Sequence, residues 1–462
     1  MNYLFEPGSV EAEISQQLSL DRDREHWSVP TAAETPKRER IIQKLDWIRA
    51  ANLDVLGPQS SRAMRVEENY NTSRDFVEHA YKEFEAEGRS EAAFEWGFLV
   101  PVRGDESKGN EYASEVTKWL PLLDPSNGVG PMELQRTVAN LPPVKIEEYA
   151  GTGDMQGGII FVPAYFDPYT FHHAPRTFVS EIIPAVQRRT SEAARLARQR
   201  YGMSLIGLGA VLPVSTKFGN SIQEPGLTAT TGHAGTVYLV HETVKAVAEM
   251  YQEAPRVGVL GLGSIGGSSL DMLRHSDINQ AVRSYVIYDH DQHKTAAHFA
   301  SRNGEVVIWA RSELELLRHS DIIVTAITEA IDLDALEIQT GSPIRLDGKV
   351  IIDDSQPGCF SREQVEARGG KLVWVVGQDN SSSRFLRRLG GYRFGDVSGF
   401  AFDAAAWGCE IEASALAVAG RKDLATNSPV KHQAAIHVGG VASDVGMGVS
   451  NPLQSFGQTV EF

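Results

Sequence analysis

The 462-residue sequence predicts an α/β protein in which an N-terminal α/β domain is followed by a doubly wound, mostly parallel sheet and then a C-terminal helical segment. Three observations carry this. Six short apolar runs alternate with helix-length intervals after residue 254. A Gly-x-Gly-x-x-Gly turn stands between the first of these runs and the helix that follows. An earlier set of apolar runs is interrupted by one long amphipathic stretch. Parallel strands need crossover connections, so the alternation implies helices on both faces of a sheet.

Residues 1–95 are polar and charged, and RERIIQKLDWIRAANL repeats its apolar positions at helical spacing, which predicts a helical N-terminal extension. From Phe98 the texture changes. FLVPV, KIEEY (145–149), GIIFVPAY (158–165) and SLIGLGAVL (204–212) are short apolar runs edged by Gly and Pro, and they predict the strands of a domain spanning 96–253. Between the last two lies TFVSEIIPAVQRRTSEAARLARQRYG, a helix that Pro184 begins or kinks and Gly202 stops. A second helix is expected from about Gly235 to Glu253.

The second domain, 254–380, contains the strand candidates RVGVL, SYVIYD, EVVIWA, DIIVTAI, KVIID and KLVWVV. The remainder, 381–462, holds DAAAWGCEIEASALAVAG, read as a helix capped by Asp403 and stopped by Gly420. No internal repeat is present.

Composition narrows the function. With 44 basic and 60 acidic residues the net charge is −16, which disfavours a general nucleic-acid binder because phosphate contacts need a basic field. The two cysteines, Cys359 and Cys409, are too few for a disulfide scaffold in a chain of this length, so a reducing compartment is expected. The start lacks the basic and apolar regions of a leader, and LIGLGAVLPV is about half the ~20 residues of a spanning helix. A soluble, cytoplasmic protein without an integral membrane segment is the expectation.

The strongest motif is VGVLGLGSIGGSSLDML, in which Gly261, Gly263 and Gly266, with Ser264 and Ile265 between them, form a Rossmann-type nucleotide turn. Missing Cβ atoms let the turn tighten, let a pyrophosphate approach the backbone, and let the helix pack on the strand. The next strand runs into Asp289, where a carboxylate can bond the adenosine ribose. Its charge opposes a 2′-phosphate, so NAD(H) is favoured, while the neighbouring His290 and Lys294 leave NADP(H) open. DHDQHK (289–294) matches no metal-ligand spacing, and no metal is expected.

Of the two thiols, Cys409 lies in the early part of the terminal helix with Glu412 one turn on, and helix N-termini stabilise thiolates. Cys359, in the turn DDSQPGCF, could instead approach the nicotinamide end of a cofactor or be a plain loop residue. On residue chemistry alone, a helical Cys among alanines is more often a small core residue than a nucleophile.

From FLVPV through LPPVKIEEYAGTGDMQGGIIFVPAYF, GMSLIGLGA, TTGHAGTVYLV and GLGSIGGS to the end, the sequence resembles the cyanobacterial long-chain acyl-(acyl-carrier-protein) reductases. The resemblance covers about four-fifths of the chain. Cys409-Glu410-Ile411-Glu412-Ala413 falls where that family has its Cys-x-x-Glu-Ala helix, whose cysteine accepts the acyl group. The resemblance implies an NAD(P)H-dependent acyl-thioester reductase that makes aldehyde through a Cys409 acyl-enzyme. It also implies acyl carrier protein or acyl-CoA as partner.

His233 and Glu412 are the proton-transfer or orienting candidates. Two departures mark a divergent member: the family's TTGN is here Thr230-Thr231-Gly232-His233, and an Arg suited to NADPH is replaced by His290. A basic cluster, Arg384, Arg387, Arg388 and Arg393, offers a landing site for an acidic carrier, and a homo-oligomer is compatible with the sequence.

Two other readings remain open at this level. A shikimate-dehydrogenase-like alcohol or polyol dehydrogenase would use Lys217 as its acid or base, and a nucleotide-binding redox sensor would bind the dinucleotide without turnover.

Overall fold

The computed structural model describes residues 36–56, 60–90, 94–103, 119–124, 127–129, 137–150, 156–166, 180, 182–302, 304–327, 329–355, 358–379, 387–389, 405–455 and 458–462. Two N-terminal helices, α1 (Pro36–Leu56) and α2 (Ser61–Glu85), precede a mixed sheet. Its strands are β1 (Trp96–Arg103), β2 (Val144–Ala150), β3 (Gln156–Phe166), β4 (Leu205–Leu208) and β5 (Thr228–Thr230). Helices α3 (Ile183–Gln199) and α4 (His233–Ala248) follow β3 and β5. Pro184 sits in the first turn of α3 and Gly202 adopts φ +75° just beyond its end, as expected of a start and a stop.

The second sheet contains β6 (Arg256–Leu260), β7 (Ser284–Tyr288), β8 (Val307–Trp309), β9 (Ile322–Thr325), β10 (Val350–Asp353) and β11 (Lys371–Trp374). Helices α5 (Ser264–His275), α6 (Gln292–Ala300), α7 (Glu313–His319) and α8 (Leu333–Thr340) alternate with them. The order β11-β10-β9-β6-β7-β8, parallel throughout, is the 3-2-1-4-5-6 arrangement of a Rossmann sheet read from its far edge. β9 and β10 are buried at every position, which is why they read as unbroken apolar runs rather than alternating ones.

The C-terminal part holds the expected helical segment and also contributes strands to all three sheets. Arg387–Leu389 forms β13, antiparallel to β2 at the edge of the first sheet. β16 (Gln454–Ser455) and β17 (Gln458–Thr459) extend the second sheet beyond β11. β12 (Gly377–Asp379), β14 (Ala405–Ala406) and β15 (Met447–Val449) make a third, small sheet. Helices α9 (Gly408–Val418) and α10 (His432–Asp444) pack on α4. α9 begins later than expected, with Trp407 as its N-cap, so Cys409 is in its first turn. Gly420 follows it at φ +66°, while Asp403, Arg384 and Arg393 lie outside the described residues.

The N-terminal helices are also more than an appended extension. Phe76, Val77, Ala80 and Tyr81 of α2 are buried in one continuous core with Trp96, Phe98, Trp119 and Tyr149. Arg49 of α1 holds Glu67 of α2 through two hydrogen bonds of 2.8 and 2.7 Å. Among the described residues no helix is long and apolar enough to cross a membrane.

Candidate active site

Helices α4 and α9 meet almost backbone to backbone, and glycine makes this contact possible. Gly232, at φ +72°, caps the start of α4, and a Cβ there would lie 2.2 Å from Cys409 Cβ. A Cβ on Gly235 would lie 2.3 Å from the Gly408 carbonyl, and one on Gly408 would lie 2.5 Å from Thr236 Cα. The TTG turn and the start of the cysteine helix are therefore one packed unit.

Glu412 fastens that unit. Its carboxylate is fully buried and accepts from Gly235 N at 2.8 Å, from Thr426 Oγ1 at 2.9 Å and from Thr230 Oγ1. Burial pushes its pKa up, and these donors pull against that shift. Glu412 does not line the cavity described below, so of its two expected roles, proton transfer or orienting, its contacts fit the orienting one. Glu410 plays a parallel part: its Oε2 accepts from Trp407 N at 2.8 Å and its Oε1 from Tyr149 Oη at 3.0 Å.

On the other side, the turn after β6 gives way to α5. A Cβ on Gly266 would collide with the Gly261 carbonyl at 1.9 Å, so this position serves helix-strand packing. Gly263 differs, because a Cβ there meets no protein atom within 4 Å, leaving room for a ligand against the backbone. Asp289, at the end of β7, accepts from Leu262 N at 2.7 Å and so ties the second strand to the turn. Lys294 Nζ and His290 Nδ1 stand 3.7 and 3.6 Å from its carboxylate, at the exposed rim.

Both halves face one cavity of about 740 Å³. Gly261, Gly263, Ser264, Ile265, Asp289, His290 and Lys294 line it, as do His233, Gly408 and Cys409. Gly266 packs behind the turn. A dinucleotide fits this donor set: a glycine turn opening a helix, free space over Gly263, and a carboxylate at the second strand end.

The thiol environment departs from expectation. A first-turn helical position should lower a cysteine pKa, and backbone N–H groups of Cys409 and Glu410 do act in that direction. Desolvation outweighs them, the charges of Glu410 and Asp354 add to it, and the thiol is pushed well above its usual range. Cys409 is nonetheless partly exposed to the cavity.

His233 is 8% exposed and its ring meets Phe218 edge-on. Burial lowers its pKa to about 4, so it is neutral at pH 7. Its hydrogen bond runs from Nδ1 to Ser264 Oγ at 3.3 Å, not to the thiol.

The remaining candidates fall outside the site. Cys359 is buried in a core cluster, its thiol donating to Asp353 Oδ1 at 3.2 Å, so it does not approach a nicotinamide. Lys217 is exposed, at φ +55°, and does not line the cavity, which removes the support for a Lys217 dehydrogenase. No cluster of His, Cys, Asp or Glu among the described residues could hold a metal ion.

Among the cavity residues that escaped sequence reasoning, Asp354 and Trp407 stand out. Asp354 follows directly on β10, and the carboxyl end of a parallel strand is where such sheets bind ligands, so the signal was available. Trp407, packed edge-on against Trp374 at 4.5 Å, carried no such signal.

No family model and no curated protein matches the chain. Among solved structures it is similar to an imine reductase from Pseudomonas sp., at 22% identity and TM-score 0.19, over 26% of this chain and 41% of that one. It is also similar to a dipicolinate synthase polypeptide from Bacillus halodurans, at 15% identity and TM-score 0.25, over 40% and 60%. A third similarity is to the D-mandelate dehydrogenase of Rhodotorula graminis, at 13% and 0.23, over 40% and 63%. The chain spans less than two-thirds of the length of each of these three. The sheet order given above rests on strand pairing within this chain.

Proposed function

We propose that this protein is a nicotinamide-dependent oxidoreductase that reduces a carrier-bound acyl thioester to an aldehyde through an acyl-enzyme on Cys409. The observation that carries the reading is that a first-turn cysteine and a dinucleotide-type glycine turn, 148 residues apart in sequence, face one cavity. The resemblance of the Cys409–Ala413 helix to that of acyl-carrier-protein reductases supports the same assignment.

In the first half-reaction, Cys409 Sγ attacks the thioester carbonyl. A new S–C bond forms, the bond to the carrier sulfur breaks, and the proton of the Cys409 thiol passes to the departing thiolate. The raised thiol pKa makes this proton transfer part of acylation rather than a step before it. A bound nicotinamide supplies hydride to the acyl carbon. The hemithioacetal alkoxide then collapses, releasing aldehyde, and Cys409 Sγ regains a proton from solvent. Gly232 lets the sulfur reach its place, and Glu412 holds α9 against α4, a positioning role. Gly261, Gly263, Ser264 and Ile265 would cradle the pyrophosphate, and Asp289 would favour the unphosphorylated ribose of NAD(H).

Intact-mass measurement after mixing the protein with a panel of acyl-carrier proteins and acyl-CoA esters tests this. Wild type and Cys359→Ala gain one acyl mass and Cys409→Ala gains none. An acyl adduct on Cys409→Ala, or aldehyde formation by it at near wild-type rate, would end the acyl-enzyme reading.

A further inference from the structure

His233 opens α4 in the first domain and Ser264 opens α5 in the second. The 3.3 Å contact between His233 Nδ1 and Ser264 Oγ therefore crosses the domain boundary at the turn where a pyrophosphate binds in this fold. The ring is more than nine-tenths buried yet lines the cavity, and the side-chain hydrogen bond it makes among the described residues is the one at Nδ1. That leaves Nε2 to be satisfied by water or by a ligand in the cavity.

We propose that His233 is a cofactor-binding residue that donates to the dinucleotide pyrophosphate, taking up a proton from solvent as that anion binds and so holding both domains against it. This inference rests on the cofactor part of the function proposed above.

The groups around the ring decide whether protonation can be tied to ligand. From α9 come the Cys409 thiol and, beyond Gly235 N, the Glu412 carboxylate, which is already engaged. The end of β10 brings Asp354, and the end of β7 brings Asp289 with His290 and Lys294 farther along the cavity. Lys217 is exposed, and α5 offers only the Ser264 hydroxyl. Burial alone sets the imidazole at about 4, so these charges do not protonate it in the free protein. An adjacent anion raises such a pKa by ~1–3 units, to about 6 for a two-unit shift.

The sign follows from linkage. The bound form carries the higher pKa, so binding tightens as pH falls through about 6 and is unaffected above about 7. For a two-unit shift, NAD⁺ binds about tenfold more tightly at pH 5 than at pH 8, with uptake of about half a proton at pH 6.

Calorimetric titration of the full-length protein with NAD⁺ between pH 5 and 8, in two buffers of different ionisation enthalpy, reads both quantities. His233→Gln is expected to bind with a flat pH dependence and no proton uptake, and a variant of the exposed His319, which does not line the cavity, His319→Gln, to keep both. A flat wild-type profile, uptake that survives in His233→Gln, or uptake lost in His319→Gln would overturn the proposal. The wild-type measurement stands even if a variant does not fold. Absence of binding by NAD⁺ and NADPH at every pH would instead overturn the cofactor reading, and this inference with it.

Discussion

Gly232→Ala is the sharpest structural test of how the thiol is placed. The added Cβ would stand 2.2 Å from Cys409 Cβ and 2.5 Å from Cys409 Cα, whereas ordinary contact begins at 3.4 Å. Neither neighbour is the end of a flexible side chain, so α9 must retreat from α4 by about 1.2 Å. The positive φ adds a penalty of ~1–2 kcal/mol for an L residue, and overpacking typically adds ~1–3. Against a usual domain stability of ~5–15 kcal/mol the protein stays folded with a lowered Tm.

The catalytic effect is read separately from the effect on stability. A ~1 Å misplacement of reacting groups costs on the order of 100-fold in rate. Aldehyde formation by Gly232→Ala should therefore fall about 100-fold while dinucleotide binding, measured by cofactor fluorescence at pH 8, persists, because the displacement falls on α9 and His233 takes up no proton at that pH. A folded Gly232→Ala protein working within about threefold of wild type would show that Cys409 need not sit where α4 holds it.

Two further predictions follow from the same geometry. Asp354→Asn removes a negative charge that raises the Cys409 pKa, so iodoacetamide labelling of Cys409 at pH 7.5 should speed up by ~3–10-fold and its pH profile should move to lower pH; an unmoved profile would remove Asp354 from the thiol's environment. Deleting residues 1–90 strips the buried faces of Phe76, Val77 and Tyr81 from the shared core, so the truncated protein should be insoluble or melt far below the full chain. A truncation with wild-type Tm would restore the view of this segment as an accessory.

The sequence was most legible where burial is symmetrical. β6, β9 and β10 are covered on both faces and announce themselves as apolar runs. β5 is the three residues Thr-Ala-Thr, and β14 and β16 are two residues each, so their identity as strands comes from their partners and not from their own pattern. α2 looked accessory because its surface is charged, yet Tyr70, Phe76, Val77 and Tyr81 turn one face inward. Glu412 was legible as a carboxylate one turn from a thiol, but its direction is fixed by Thr230 and Gly235, distant in sequence, and by Thr426 beyond the end of the helix. For Cys409 the helix start was readable and the desolvation was not, since burial arises only when Gly232 admits α9 against α4.

That desolvation also bears on selectivity. The thiolate, not the thiol, reacts with oxidants and alkylating agents, so a cysteine held protonated by burial and by the charges of Glu410 and Asp354 is protected while the cavity is empty of substrate. In the reaction proposed above, a thioester differs from those reagents because it carries its own proton acceptor: the sulfur it loses would take up the proton that Cys409 gives. Proton and acyl group would then change places between two sulfurs, and no separated charge would have to be stabilised in a buried site, which the low local dielectric would penalise. His233 is neutral at pH 7 and bonded to Ser264, so it is not a standing base for the thiol. On the proposed function, the environment therefore favours attack on a substrate that brings its own acceptor over ionisation in advance, which distinguishes the proposed thioester chemistry from that of a cysteine poised to react with any electrophile.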